Sequence, residues 1–384
     1  MNKHNQLAEL HNSKRPYIIY KSKKGFDLYT NFSKKIILSN KNISSFLNHR
    51  YKNNSKDTDL FIGFFGYELL NNLIDIKIPK QKNINFPKGI FYKPEKKIKL
   101  TNNFRYKTKN TFRNGDFKIN INSNSYTKIF NKFKKKIKSG DTYQIKICTK
   151  YKTKSKIDPL DFFSRLSKTN LAPEAFMIRD KSYSIISCSP ENLVTKKGLD
   201  ISTKPIAGTV KKTKKLNKSK ALNYFKKNLK ETKEHNMIVD MERNDLSRIC
   251  KVGSVKLSKQ KIVEEYKDLF HYVSLIRGKL KKNIKNIDII KAMMPGGSVI
   301  GCPKINTLNL LNNQEKENRN IYTGSFGYIK FNGDMRFNII IRSILNFKNT
   351  SEISVASGVV VDSNAQHEFN ENYIKAKALI DLFK

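Results

Sequence analysis

The alternation of apolar and polar positions divides the chain into stretches of two periods. In ETKEHNMIVDMERNDLSRICKVGSV (231–255), Glu231 and Glu234 stand three apart, followed by Met237, Ile238, Val239 and Met241 and then by the polar group Glu242, Arg243, Asn244 and Asp245. This spacing predicts a helix with both carboxylates on one face and Gly253 as a stop. HEFNENYIKAKAL (367–379) predicts another, with Glu368 and Glu371 three apart, Lys375 four beyond, and Phe369, Tyr373, Ala376 and Leu379 as the buried side. A basic amphipathic helix is predicted from Tyr126 to Lys138, ending in a Ser139–Asp141 turn, and Phe162–Leu166 also reads as helical.

Strand signals fill much of the remainder. Residues 14–120 read as short strands, turns and basic loops, with FIGFFGYELL (61–70) as a buried strand punctuated by glycine. YQIKICTKY (143–151) alternates, NLAPEAFMI (170–178) reads as a turn and then a strand, and LFHYVSLIRGKL (269–280) is an apolar strand carrying His271. SYSIISCSPENLVTKKG (182–198) predicts a hairpin with Glu191 just past a strand end, and KPIAGTVKKTKK (204–215) predicts a loop around Gly208. IYTGSFGYIKF, GDMRFNIIIRSILNF and EISVASGVVVD predict three successive antiparallel strands, with Gly333 and Asp334 in a turn. Neither an internal repeat nor a domain linker is visible.

A chain of 384 residues can bury a large core. No run of about 18 apolar residues is present, so no membrane-spanning helix is expected. The N-terminus lacks the basic start, apolar region and cleavage site of an export signal, which predicts a cytoplasmic protein. Four cysteines, Cys148, Cys188, Cys250 and Cys302, are spread without metal-ligand spacing and read as reduced thiols. The formal charge of +44 would ordinarily point to nucleic acid. Its lysines, however, are scattered along the whole chain among abundant Asn, Ile, Phe and Tyr, as in the translation of an AT-rich genome, and no base-reading module accompanies them. No specific nucleic-acid partner is therefore expected, only salt-sensitive adhesion to polyanions.

The candidate chemistry starts from the two acidic helix faces. Taken singly, each suits a solvated surface; together they suit a hard divalent cation such as Mg²⁺, which keeps several waters and shares its shell with substrate oxygens. That pairing predicts an anionic substrate. Arg342, emerging from an otherwise apolar strand, needs a partner: a core acid or a substrate carboxylate. The glycines of PGGSVIGCPK (295–304), with Ser298 and Lys304, allow backbone amides to approach an anion.

These blocks resemble the chorismate-utilising enzymes, anthranilate synthase component I and aminodeoxychorismate synthase component I. The match runs in order through GDTYQIKICTK, SPE, KPIAGT, EHNMIVDMERNDLSR, PGGSVIGCPK, YTGSFGY, IIIRS and SGVVVDS, across about residues 120–384. The resemblance implies an α/β (α+β) fold of two subdomains whose antiparallel sheets pack as a sandwich with helices outside. Residues 1–120 would be a shortened N-terminal region integrated into the fold, and 121–384 the chorismate-binding catalytic region. It further implies Mg²⁺ on Glu234 and Glu371, supported by Glu231 and Glu368; Glu191 as the acid that protonates the departing C4 hydroxyl; His271 in the active site; and Arg342, Tyr322, Lys375 and the amides near Gly358 around the substrate carboxylates, with Ser298 and Lys304 also on the substrate. Where isochorismate and salicylate synthases of this superfamily place a water-activating lysine, this chain has Gln144, which favours amination. A separate glutamine amidotransferase subunit is implied as the ammonia source.

Two products compete at this stage. The short N-terminal region, the missing LLES segment, NLAPEAF and YTGSFGY resemble the aminodeoxychorismate branch, toward which the reading leans. Ala207 stands where some of its members carry a nucleophilic lysine, and PIAGT is the anthranilate synthase form.

Overall fold

The architecture comes from a computed structural model whose described residues are 3–49, 56–74, 76, 86–101, 106, 116–170, 172–213, 215–265 and 269–384. Its strands join, antiparallel throughout, into one continuous sheet. From one edge the order is Lys118–Ile119 and Gly301–Cys302 on the same strand, Gln144–Lys154, then Thr350–Val359, Ser343–Phe347, Tyr183–Ser189, Glu174–Arg179 and Tyr17–Ser22. Gly25–Ile37, Gly89–Leu100, Leu60–Phe65, Ser325–Lys330, Met335–Asn338, Asn192–Lys197 and Asp200–Lys204 continue it. Leu269–Lys279 follows, with Ile206–Lys211 beside Asp200–Lys204 on one flank and Lys256–Glu265 on the other. The expected two sheets are thus two halves of one ladder, because strands from residues 17–100 bridge them.

Those halves face each other across a core built mainly of strand residues, including Ile18, Tyr20, Ile62, Phe64, Ile185, Phe176 and Phe326. Phe176 and Phe326 stack with ring centroids 3.7 Å apart. The opposite faces are covered by helices. Tyr17, Ile19 and Ile186 pack with Leu160 and Phe163 of Pro159–Thr169 and with Ala376 and Leu379 of the C-terminal helix. Phe65, Val194 and Phe337 belong to the larger cluster under the helices Ser123–Lys138, Leu229–Ile249, Asn286–Met293 and Lys304–Gln314. Strands such as YIIYKS read as unbroken apolar runs because successive side chains enter two different cores.

Several local expectations are corrected. Tyr183–Ser189 and Asn192–Lys197 do not pair with each other; the former pairs with Glu174–Arg179 and Ser343–Phe347, the latter with Asp200–Lys204 and Met335–Asn338. GDMRFNIIIRSILNF is two strands, interrupted at 339–342. Short connections at 190–191 and at 339–342 therefore carry the chain directly from one half to the other. The crossings lie side by side: the Ile339 amide donates to the Glu191 carbonyl at 3.1 Å, and the Cys188 amide to the Arg342 carbonyl at 3.2 Å. The predicted loop at KPIAGT is a strand, with Gly208 at φ +85° where its register on Leu269–Lys279 shifts. The helix starting at Leu229 is capped by the Asn228 side chain on the Glu231 amide and stops at Ile249, leaving Gly253 in the next turn. On the helix Ala365–Ile380 the buried side is Glu368, Asn372, Ala376 and Leu379, whereas Tyr373 is 49% exposed. The helix is rotated from its apolar stripe because its inner face meets a polar cavity.

Candidate active site

A cavity of about 520 Å³ opens where the two crossings meet the two acidic helices. Its wall includes Glu191, Ser298, Tyr322, Arg342 and Gly358, with Glu231 and Glu234 from one helix and Glu368, Glu371 and Lys375 from the other. The structure thus gathers ten of the residues singled out in the sequence, from seven separate segments.

Arg342 and Glu191 sit on the crossings. Arg342 has φ +50°, a conformation that non-glycine residues rarely adopt and that the paired strands on either side hold in place. Its guanidinium forms no hydrogen bond or ion pair among the described residues, although burial lowers its pKa. A guanidinium in such a setting is prepared for an anion from outside the chain. The Glu191 carboxyl is buried (4% exposed), and this desolvation pushes its pKa up to about 7. Ser298, whose hydroxyl lies beside it without closing a well-formed hydrogen bond, the Ile206 amide at 3.5 Å, Lys146 and Arg342 all pull the other way.

The carboxylates form two groups. On the C-terminal helix, His367, Glu368 and Glu371 place donor atoms within 4.8 Å of one another; Glu368 accepts from the Ser363 hydroxyl at 2.9 Å, and Glu371 pairs with Lys375 at 2.6 Å. Lys375 also donates to the Ala356 carbonyl at 3.0 Å. On the other helix, Glu234 accepts at the same oxygen from the Lys146 ammonium and the Gln144 amide, each at 2.9 Å. The ammonium holds its pKa down to about 2. The wall carries five carboxylates (Glu191, Glu231, Glu234, Glu368 and Glu371) against three cations (Lys146, Arg342 and Lys375). Even with Glu191 in its acid form the remaining four carboxylates outnumber the cations, and hard oxygen donors in that setting match a divalent cation such as Mg²⁺.

Four sequence candidates stand elsewhere. Lys304 does not face the cavity: it is buried in an ion pair with Asp245 at 2.5 Å and donates to the Ala292 carbonyl at 3.1 Å, which corrects its assignment to the substrate. His271 is buried behind the wall, where burial and then Arg342 bring its pKa down to about 4, so the imidazole is neutral at pH 7. Gln144 does not line the cavity; its amide donates to Glu234, which does. Ala207 lies in the strand Ile206–Lys211, and its side chain is outside what is described, as is Leu171 of NLAPEAF.

Lys146 was not among the candidates. Its signal was present: 144 and 146 share one face of an alternating strand, and a lysine on a buried strand face requires an acid. A neighbouring cavity of about 410 Å³ also carries cations, but Arg319 is paired with Glu315 at 2.6 Å and Lys150 with Glu352 at 3.2 Å, so neither is open to an anion in the way Arg342 is.

The model of the family described as chorismate binding enzyme matches residues 7–381. The chain belongs to that family. It is 35% identical over 266 residues to aminodeoxychorismate synthase component 1 of Bacillus subtilis (strain 168), covering 69% of this chain and 57% of that relative. It is 36% identical over 263 residues to anthranilate synthase component 1 of Arthrobacter globiformis, covering 67% and 50%. The match thus spans between half and three-fifths of those two proteins. Among solved structures, anthranilate synthase component I from Streptococcus pneumoniae TIGR4 superposes with a TM-score of 0.77 at 26% identity, over 95% of this chain and 92% of that one. The menaquinone-specific isochorismate synthase from Escherichia coli shares the fold, with a TM-score of 0.76 at 15% identity. No helix among the described residues is long and apolar enough to cross a membrane.

Proposed function

We propose that this chain is aminodeoxychorismate synthase component I, which aminates chorismate to 4-amino-4-deoxychorismate for 4-aminobenzoate and folate synthesis. The observation that carries the reading is the unpaired, buried Arg342 guanidinium beside a carboxyl poised near pH 7, in a cavity of a size suited to one small polar acid. Arg342 would take one substrate carboxylate as a fork, with Tyr322 and Lys375 fixing the rest of the molecule. Glu191, protonated below about pH 7, gives its proton to the C4 oxygen as the C–O bond breaks, and water departs. Ammonia takes that carbon, and the proton it sheds restores the Glu191 acid. Atoms balance as chorismate plus ammonia giving aminodeoxychorismate plus water.

Glu234 and Glu371, supported by Glu231 and Glu368, would hold Mg²⁺. Bound there, the ion would withdraw charge from the substrate carboxylate and ease attack on the ring. Amination rather than hydration is favoured because neither side chain at the relevant strand positions is a free base: Gln144 is an amide, and the Lys146 ammonium is paired with a carboxylate. Ammonia would come from a glutamine amidotransferase subunit, as the component naming of the relatives suggests.

Ala207 supports a second reading, anthranilate synthase component I. The deciding assay supplies chorismate, Mg²⁺ and ammonium at alkaline pH, with and without aminodeoxychorismate lyase, and separates products by chromatography. 4-Aminobenzoate appearing only with the lyase upholds the first reading, and anthranilate without it upholds the second.

A further inference from the structure

Lys146 belongs to neither acidic helix, yet its ammonium sits on the carboxylate proposed as a metal ligand. Three observations place it there by construction. Gln144 and Lys146 project from the same face of Gln144–Lys154 and donate to the same oxygen of Glu234. Directly across the ladder from Lys146 stands Gly358, where a Cβ atom would come within 2.9 Å of the ammonium and 2.7 Å of the Gln144 amide. The glycine leaves the space that the two donors occupy. Finally, the donor group gathered within 4.8 Å comprises His367, Glu368 and Glu371 and does not include Glu234, whose oxygen is already bound.

We propose that Lys146 is a resident counter-cation that competes with the divalent metal for Glu234 and, once displaced, turns to a carboxylate of the substrate. The proposal rests on the metal assignment made above. An ammonium and a dication cannot share one carboxylate oxygen at hydrogen-bonding range without strong repulsion in a poorly solvated cavity. Both donors sit on Oε1, so a dication on either oxygen of Glu234 draws charge away from the ammonium and repels it, which favours its release. Arg342 serves one carboxylate and the metal the other, and the released Lys146, a side-chain rotation away, adds a further cation to the dianion. Each ligand then makes the other's site more favourable, so metal and dianionic substrate bind with positive coupling that is equal from either direction.

The test is direct Mn²⁺ binding to the full chain, followed by the electron paramagnetic resonance signal of the free ion, with and without chorismate. Wild type is compared with Lys146→Met, Lys146→Arg, Gly358→Ala and Glu371→Gln, each checked for native folding by circular dichroism. The expected result is that Lys146→Met binds Mn²⁺ about tenfold or more tighter than wild type. Gly358→Ala, which pushes the ammonium off its seat, should move the same way, and Lys146→Arg should stay near wild type. Chorismate should tighten Mn²⁺ binding in wild type and do so far less in Lys146→Met. Equal or weaker Mn²⁺ binding by both Lys146→Met and Gly358→Ala, with wild-type binding still abolished by Glu371→Gln, overturns the counter-cation role and leaves the metal site standing. Wild-type binding that Glu371→Gln does not change removes the metal site, and the proposal with it.

Discussion

Replacing Glu191 with Gln should stabilise the protein, increasingly from about pH 4.5 upward and fully above about pH 7. In the folded chain burial raises this carboxyl from its ordinary 4.5 to about 7. Between those values the native state holds a proton that the unfolded chain releases, so rising pH favours unfolding, and the cost is complete above about pH 7. At about 1.4 kcal/mol per unit, the displacement corresponds to roughly 3 kcal/mol lost by the wild type at pH 8. Glutamine keeps the shape and cannot ionise, so Glu191→Gln escapes that loss. Urea unfolding of both proteins at pH 4.5 and pH 8 measures it: the variant should match wild type at the lower pH and exceed it by roughly 3 kcal/mol at the higher. Turnover should fall by about 10²–10⁴-fold, because the proton for the leaving hydroxyl is gone. A stability difference that is the same at both pH values would refute the claim that this carboxyl is held protonated by burial, and the acid role with it.

Other changes address separate parts of the account. Arg342→Ala should raise KM for chorismate on the order of 10- to 100-fold, the worth of a charge-assisted fork, in steady-state assays; a loss confined to kcat would move the contact to the transition state. Lys304→Met should cost about 3–5 kcal/mol in urea unfolding by leaving Asp245 buried without its partner, and adding Asp245→Leu should restore much of it. If Lys304 instead contacted substrate, its loss would appear in KM with stability unchanged. Binding to duplex DNA, followed by fluorescence anisotropy, should collapse between low and physiological salt; retention of tight binding there would revive a nucleic-acid role for the +44 chain.

Much of the site was legible because its chemistry follows helical spacing. Glu231 with Glu234, and Glu368 with Glu371, are one turn apart, and any helix through them presents each pair together. Arg342 was conspicuous as a charge among isoleucines. Connectivity between the halves was not legible: SPENLV contains the usual sign of a hairpin, and only the long-range pairing of 343–347 and 335–338 shows that the chain crosses over instead. The same crossings bring Arg342 to Glu191, which no local pattern encodes. Lys304 and Lys146 illustrate the limit most clearly. Both are lysines in motif-bearing segments, and what separates a core ion pair from a cavity wall is which acid the fold delivers, Asp245 or Glu234. On the C-terminal helix the apolar stripe holds at Ala376 and Leu379 and fails at Tyr373, while Glu368 and Asn372 are buried without being apolar.

The central claim is that the chain aminates chorismate and does not hydrate it. The most direct measurement is mass spectrometry of the product formed from chorismate, Mg²⁺ and ¹⁵N-ammonium in ¹⁸O-water. The expected product carries one ¹⁵N and no ¹⁸O, in keeping with the Gln144 amide and the charged Lys146. A hydroxylated product bearing ¹⁸O and no ¹⁵N would contradict it.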